Sequence, residues 1–261
     1  KKLSKILIGY KFDAIFHFSG QSSGEKSFEN PLKDINSNVV STVNLYEFCI
    51  KNKCKKFLFA SSMSVYGKNF KTVTENSPLN PLSFYAVGKL ASEKYLKLYK
   101  NKSVNISVLR LFNVYGPGQD LSNLKQGMIS IYLSQLMFNK KIIIKGSKNR
   151  YRDFVYIEDV VKACIKISKF NKNEYEIFNI CTGKKTKVVN LINKIIQIYK
   201  QSKEIIYEQS TLGDQFGIYG NNTKLLSLLK QFEFTNIDTG LKKTINWAKK
   251  TERIKIEHKG S

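Results

Sequence analysis

Histidine is almost missing from this chain of 261 residues: only His17 and His258 occur, the second in a polar tail. A metal site built on two or three histidines is therefore excluded, and a Ser-His-Asp triad would have to rest on His17. Cysteine is scarce too. Cys49, Cys54, Cys164 and Cys181 contain no CxxC pair. Nothing suggests a disulfide framework, and free thiols in a reducing cytoplasm are expected. No apolar run approaches the roughly 18 residues of a membrane span, so no membrane partner is expected. The start, Lys1 to Tyr10, is basic and then briefly apolar, without the small-residue cleavage site of a signal peptide.

Acidic residues are few, 20 against 44 basic ones, for a net charge of +24. Arginine supplies only 4 of those 44, and lysine is spread along the whole chain beside abundant Asn and Ile. A bias towards AAA, AAT and ATT codons, with a solvated lysine surface, accounts for this. A nucleic-acid partner is not expected, because no clustered arginine or aromatic-basic motif occurs. The positive field would still attract an anionic substrate. A hydrophobic content of 42 % is ordinary for a folded chain, and the length allows one large domain or two small ones.

Short apolar strands alternate with helical segments in the first half, the pattern of a parallel α/β sheet. Phe12–Phe18, Lys56–Ala60 and Val104–Phe112 read as strands. Helices are predicted over Asn38–Ile50, capped by Asn36, Ser37 or Asn38, and from a Ser83 cap to about Tyr99. The second half is more mixed. Strands are predicted at Lys141–Lys145, Phe154–Ile157 and Tyr175–Ile180. Helices are predicted at Gly127–Phe138, Asp159–Phe170, Lys187–Tyr199, Thr223–Leu229 and Thr239–Lys249. No internal repeat or long linker separates the halves, so the second is expected to pack on the first as a smaller lobe.

The strongest chemical feature is Tyr85-Ala86-Val87-Gly88-Lys89. Residues four apart share a helix face, and an ammonium beside a phenol stabilises the phenolate. Tyr85 is thus expected to have a lowered pKa and to exchange a proton with a sugar hydroxyl. Upstream, Ser61-Ser62-Met63-Ser64-Val65-Tyr66-Gly67 follows a strand directly, placing a serine where doubly wound sheets bind ligands. Downstream lie the runs Arg110 to Gly118 (RLFNVYGPG) and Arg152 to Val160 (RDFVYIEDV). Arg152 suits a phosphate, which its fork binds bidentately; the alternative is a surface ion pair with Glu158 or Asp159.

With these motifs in order, the chain resembles the extended short-chain dehydrogenase/reductases of the NAD-dependent nucleotide-sugar epimerase/dehydratase family, especially the UDP-glucose 4-epimerase-like members. The resemblance extends over nearly the whole chain. His17-Phe18-Ser19-Gly20-Gln21, Asn30-Pro31, Asn38 with Thr42, and Asn179-Ile180-Cys181-Thr182-Gly183 add to it.

The resemblance implies a Rossmann-like doubly wound parallel sheet with a smaller mixed α/β lobe for the substrate. The partial NAD-binding domain would span residues 1–115 and the substrate lobe 116–261, with segments near 151–180 returning to the first. It implies NAD as cofactor, a UDP-hexose as substrate, a homodimer built on the helices near Asn38 and Ser83, and a cytoplasmic role in nucleotide-sugar metabolism of the kind that feeds polysaccharide biosynthesis. The implied activity is epimerisation at C4 through a 4-keto sugar, with Ser62, Tyr85 and Lys89 catalytic. Phe18, Ser19, Gly20, Asn38, Ala60 and Phe112, with Tyr85 and Lys89, would bind NAD. Ser62, Asn113, Arg152 and Ile218 would bind the substrate.

A 4,6-dehydratase would need an acid/base pair beside the catalytic hydroxyl residue, where this chain has Met63 and Ser64. A decarboxylase, a 4-reductase or a non-catalytic binding protein are the other readings. Two departures stand out. The family's GxxGxxG turn occurs nowhere in the chain. The first residues fit the stretch before the family's fourth strand, so roughly 60 residues are expected upstream in the natural protein, and the enzyme reading requires them. Thr211 stands where the family carries an arginine beside the diphosphate.

Overall fold

The computed structural model describes residues 6–7, 9–68, 71–99, 104–139, 141–170, 175–210, 213 and 215–257, with side chains to residue 251. Its strands are β1 (Ala14–His17), β2 (Lys56–Ser62), β3 (Asn105–Leu111), β4 (Asn113–Tyr115), β5 (Lys141–Lys145), β6 (Tyr151–Arg152), β7 (Phe154–Tyr156), β8 (Tyr175–Ile180), β9 (Thr186–Lys187) and β10 (Glu204–Glu208). The helices are α1 (Gly24–Glu29), α2 (Pro31–Ile35), α3 (Ser41–Lys51), α4 (Phe84–Leu98), α5 (Met128–Phe138), α6 (Ile157–Ser168), α7 (Val188–Tyr199), α8 (Thr223–Leu228) and α9 (Ile237–Glu257).

Four strands form one parallel sheet in the order β1-β2-β3-β8. β2 reads as an unbroken apolar run because both of its faces are covered. Phe57 and Phe59 pack on one face with Tyr46, Cys49 and Leu96 from α3 and α4. Leu58 points the other way, with Leu109, to Val160, Ala163 and Ile167 of α6. That alternation with period two makes the sheet doubly wound. A separate core lies in the second half, where α5, α7 and α9 enclose Ile142 and Ile144 of β5 together with Tyr115, Phe154 and Tyr156. There β5 pairs in parallel with β10, β4 with β7, and β6 antiparallel with β9.

The first long helical run starts earlier than its apolar periodicity indicates. Asn30 is its cap, accepting from Lys33 N at 2.9 Å, with Pro31 in the first turn. A π-helical segment at Asn36–Val40 joins α2 to α3. Asp159 is not the cap of α6, which starts at Ile157; its carboxylate instead accepts from Thr235 N at 2.7 Å and Thr235 Oγ1 at 3.0 Å. After β2 the chain turns sharply at Gly67 (φ +61°), where a Cβ would stand 1.4 Å from Asn80 O, so only glycine fits.

Candidate active site

β2 delivers Ser61 and Ser62 to the carboxyl end of the sheet. Ser62 Oγ accepts from Ser64 N at 3.1 Å and so caps the short 3-10 turn Met63–Tyr66. Ser83 Oγ caps α4 by accepting from Ala86 N at 3.2 Å. From that cap, Tyr85, Lys89 and Glu93 follow at helical spacing and are all buried. Ser62 lies close enough to the Tyr85 phenol to lower its pKa.

Lys89 is placed differently from the simplest expectation. Its Nζ donates to Ala60 O at 2.9 Å and lies 5.8 Å from the centre of the Tyr85 ring. A buried ammonium needs a strong acceptor, and the carbonyl at the end of β2 provides one. Burial pulls Lys89 down to about 8, opposed by the charges of Asp34 and Glu93. The lowered phenol pKa is not observed: burial raises the Tyr85 pKa, Ser62 lowers it, and the Asp34 charge raises it again.

His17 belongs to no triad. Thr42 Oγ1 donates to Asn38 O, so His17 Nε2 must donate to Thr42 Oγ1, 2.9 Å away. Ser19 Oγ then donates to Nδ1 at 3.1 Å. Both ring nitrogens are taken by hydroxyls. Burial, reinforced by Lys89, holds the ring neutral with a pKa of about 4. The unfolded chain therefore takes up this proton more readily, and stability should fall as the pH drops from about 6.5 towards 4. Denaturant melts across that window check this: the slope is expected to flatten in His17→Asn.

Phe18, Ser19 and Gly20 follow β1 and are exposed, whereas Asn38 on the π-helical segment is buried. Asn38 Nδ2 donates to Gln21 O at 3.0 Å and to Asp34 Oδ1 at 3.1 Å. Phe112 contributes differently from its neighbours. Its ring sits in the core, against the backbone of Gly220, which leaves only its main chain to meet a ligand.

A cleft of about 480 Å³ runs past this end of the sheet. Ser22, Ser23, Met63, Ser64, Ala86, Asn113, Arg150 and Arg152 are among its lining. Ser62 and Tyr85 adjoin it through their neighbours Met63, Ser64 and Ala86. Arg152 is buried and donates to Tyr151 O at 2.8 Å, Gln215 O at 2.7 Å and Phe216 O at 3.3 Å. Glu158 lies beside Lys243, at 3.3 Å. Burial, and then the charge of Arg150, bring Arg152 down to about 10. Arg150 was legible only as the residue two before Arg152, a spacing that puts both on one side of an extended segment. Ile218 is a correction. It is fully buried among Phe112, Cys181 and Leu225 and lines no part of the cleft. Thr211, Asp214 and His258 lie outside the described residues.

Behind the site is a buried polar network that sequence reasoning missed. Arg110 binds both oxygens of Glu93, at 3.0 and 2.7 Å, and donates to Tyr66 OH at 3.0 Å. Tyr66 OH donates to Asn179 Oδ1 at 2.6 Å, and Ser61 Oγ donates to Glu93. The network ties the end of β2, the Tyr85–Lys89 helix, β3 and β8 together. The four cysteines are free and buried. Among the described residues no helix is long and apolar enough to cross a membrane, and no group of His, Cys, Asp and Glu could hold a metal ion.

The family model "NAD dependent epimerase/dehydratase family" matches residues 1–181. A protein of Methanocaldococcus jannaschii is 38% identical over 244 residues, covering 92% of this chain and 78% of its own. The UDP-glucose 4-epimerase of Mycolicibacterium smegmatis is 32% identical, over 94% of this chain and 79% of its own. The crystal structure of UDP-glucose 4-epimerase from Thermotoga maritima with UDP-glucose superposes with a TM-score of 0.90 at 30% identity, covering 96% of this chain and 81% of that one. The chain belongs to the NAD-dependent epimerase/dehydratase family of Rossmann-like proteins, and its activity is that of an NAD-dependent nucleotide-sugar epimerase.

Proposed function

We propose that the chain inverts C4 of a UDP-hexose, with Tyr85 as general base, Ser62 as its hydroxyl partner and Lys89 as the charge behind the phenol. The carrying observation is one cleft with two guanidiniums, Arg150 and Arg152, on its wall and the Ser62–Tyr85 pair adjoining it. Arg150, Arg152 and Asn113 hold the diphosphate. That contact anchors the substrate while Ser62 and Tyr85 take the C4 hydroxyl, and Tyr85 removes its proton. NAD, when bound, would supply a reversible hydride acceptor for C4. The nicotinamide end fits the residues present. Asn38 Oδ1 is a buried acceptor without a partner, and it lies 2.6 Å from where a Cβ on Gly20 (φ +137°) would stand. Phe18, Ser19, Gly20, Asn38 and the main chain at Ala60 and Phe112 would hold that end. Met63 and Ser64 line the cleft but cannot carry the protons of a dehydration, which favours epimerisation over a 4,6-dehydratase reaction.

Arg152→Lys tests the substrate assignment. Losing a bidentate, charge-assisted contact of about 1.5–3 kcal/mol should weaken UDP binding by roughly 10- to 100-fold. Calorimetric titration with UDP measures it, and an unchanged affinity would reject the diphosphate role.

The active unit in this proposal is a cytoplasmic homodimer. Leu32 and Ile35 on α2, Val40, and Val87, Tyr95 and Leu98 on α4 are exposed, Leu98 by 84%, and these helices pack side by side. Such a contiguous apolar face fits a second copy. The double variant Val87→Lys/Leu98→Lys should be monomeric by light scattering at micromolar concentration; a dimer would show that another surface pairs the subunits.

A further inference from the structure

We propose that Asp34 is the counter-ion of Lys89, a positioning residue that keeps the ammonium charged behind Tyr85. This rests on the reading of Lys89 as the partner of Tyr85. Among the described residues, two acidic and two basic side chains are buried around α4: Asp34, Glu93, Lys89 and Arg110. Glu93 commits both oxygens to Arg110, at 3.0 and 2.7 Å, and also takes the Ser61 hydroxyl. His17, which faces the same region from β1, is neutral. Of the two buried anions, Asp34 is therefore the one left to balance Lys89.

The packing agrees with that assignment. Asp34 comes from α2 and meets α4 at Gly88, where an added Cβ would lie 3.1 Å from Asp34 Oδ2. The carboxylate thus rests on the turn that joins Tyr85 to Lys89. Its Oδ1 accepts from Gln21 Nε2 at 2.8 Å and from Asn38 Nδ2 at 3.1 Å. Its Oδ2 is buried with no hydrogen-bond donor. A buried carboxylate oxygen in that position is costly unless a nearby cation compensates it through space. Burial raises the Asp34 pKa, against which the hydrogen bonds from Gln21 and Asn38 and then the Lys89 charge hold it down; burial lowers that of Lys89, against which the charges of Asp34 and then Glu93 hold it up.

The groups facing Lys89 are thus Asp34 from α2, His17 from β1, and Tyr85 and Glu93 from its own helix, with Arg110 of β3 behind Glu93. Only Asp34 can be neutralised without breaking another ion pair. In Asp34→Asn the amide oxygen still accepts from Gln21 and Asn38, but the charge is gone.

The test is a pH titration of ¹³C-labelled lysine by NMR, with the Lys89 signal identified by its loss in Lys89→Arg. The wild-type midpoint should lie at about 8. In folded Asp34→Asn it should drop by about one pH unit or more, a tenfold loss of proton affinity. The same experiment on the wild-type carboxyl carbons needs no variant: Asp34 should show an inflection at the midpoint of Lys89. An unmoved midpoint in the folded variant, or no inflection at Asp34, overturns the proposal. Both readouts follow Lys89 without turnover, so failure of the epimerase roles and failure of this pairing are separate results.

Discussion

Tyr85→Phe is expected to lower kcat by roughly 10²- to 10⁴-fold, the usual contribution of a positioned general base. UDP binding should be almost unaffected. The variant removes one oxygen from a side chain whose ring is already buried against the Lys89 ammonium, so packing is kept. Ser62 keeps its contact with the backbone N–H of Ser64, so the end of β2 should not move. The diphosphate contacts lie elsewhere, on Arg150, Arg152 and Asn113. The loss should therefore fall on the chemical step, with kcat and kcat/KM reduced together. Steady-state rates combined with UDP calorimetry separate the outcomes. More than a few per cent of wild-type turnover would remove Tyr85 from the reaction.

The second large effect is on stability. Glu93→Gln should cost about 3–5 kcal/mol, because it leaves the Arg110 guanidinium buried without its anion. Arg110 is 1% exposed and Glu93 3%, so water cannot replace the lost partner. The Glu93 carboxylate also receives the Ser61 hydroxyl, and Arg110 orders Tyr66, so the damage should spread to the end of β2. Urea unfolding measures it. The double variant Glu93→Met/Arg110→Met should be far less damaged than either single change, since a buried pair and an apolar pair of similar volume are close in energy. A loss below about 1 kcal/mol in Glu93→Gln would mean that the pair does not hold these elements together.

Much of the fold is legible where local pattern and burial agree. Lys141–Lys145 and Tyr175–Ile180 are strands at the boundaries read from sequence, because short segments rich in β-branched and aromatic residues favour the extended chain. Tyr85 and Lys89 share a face for an equally local reason. The residues that escaped depend on distant contacts. Glu93 and Arg110 are 17 residues apart, and nothing nearby marks either as buried. Ile218 was assigned to the substrate by the resemblance, but position in the chain alone does not say which way a side chain in an irregular segment points; here it enters the core. The phenol pKa went the other way because burial outweighs the lowering effect of Ser62, while the Lys89 ammonium is engaged with a carbonyl. Asn30-Pro31 carried a helix-start signal that the apolar stripe further along obscured.

The π-helical segment at Asn36–Val40 has a consequence for how this region can vary. One extra residue in a helical turn rotates everything on one side by about 100° relative to the other. Before it, Asp34 is turned towards the chemistry; after it, Tyr46 and Cys49 are turned into the core under the sheet. Substitutions that reshape the core side of α3 can therefore accumulate without re-aiming Asp34. Deleting a single residue from the segment would force both duties onto one continuous stripe, and one of them would face the wrong way. The joint lets structural and chemical demands on a single helical run diverge independently.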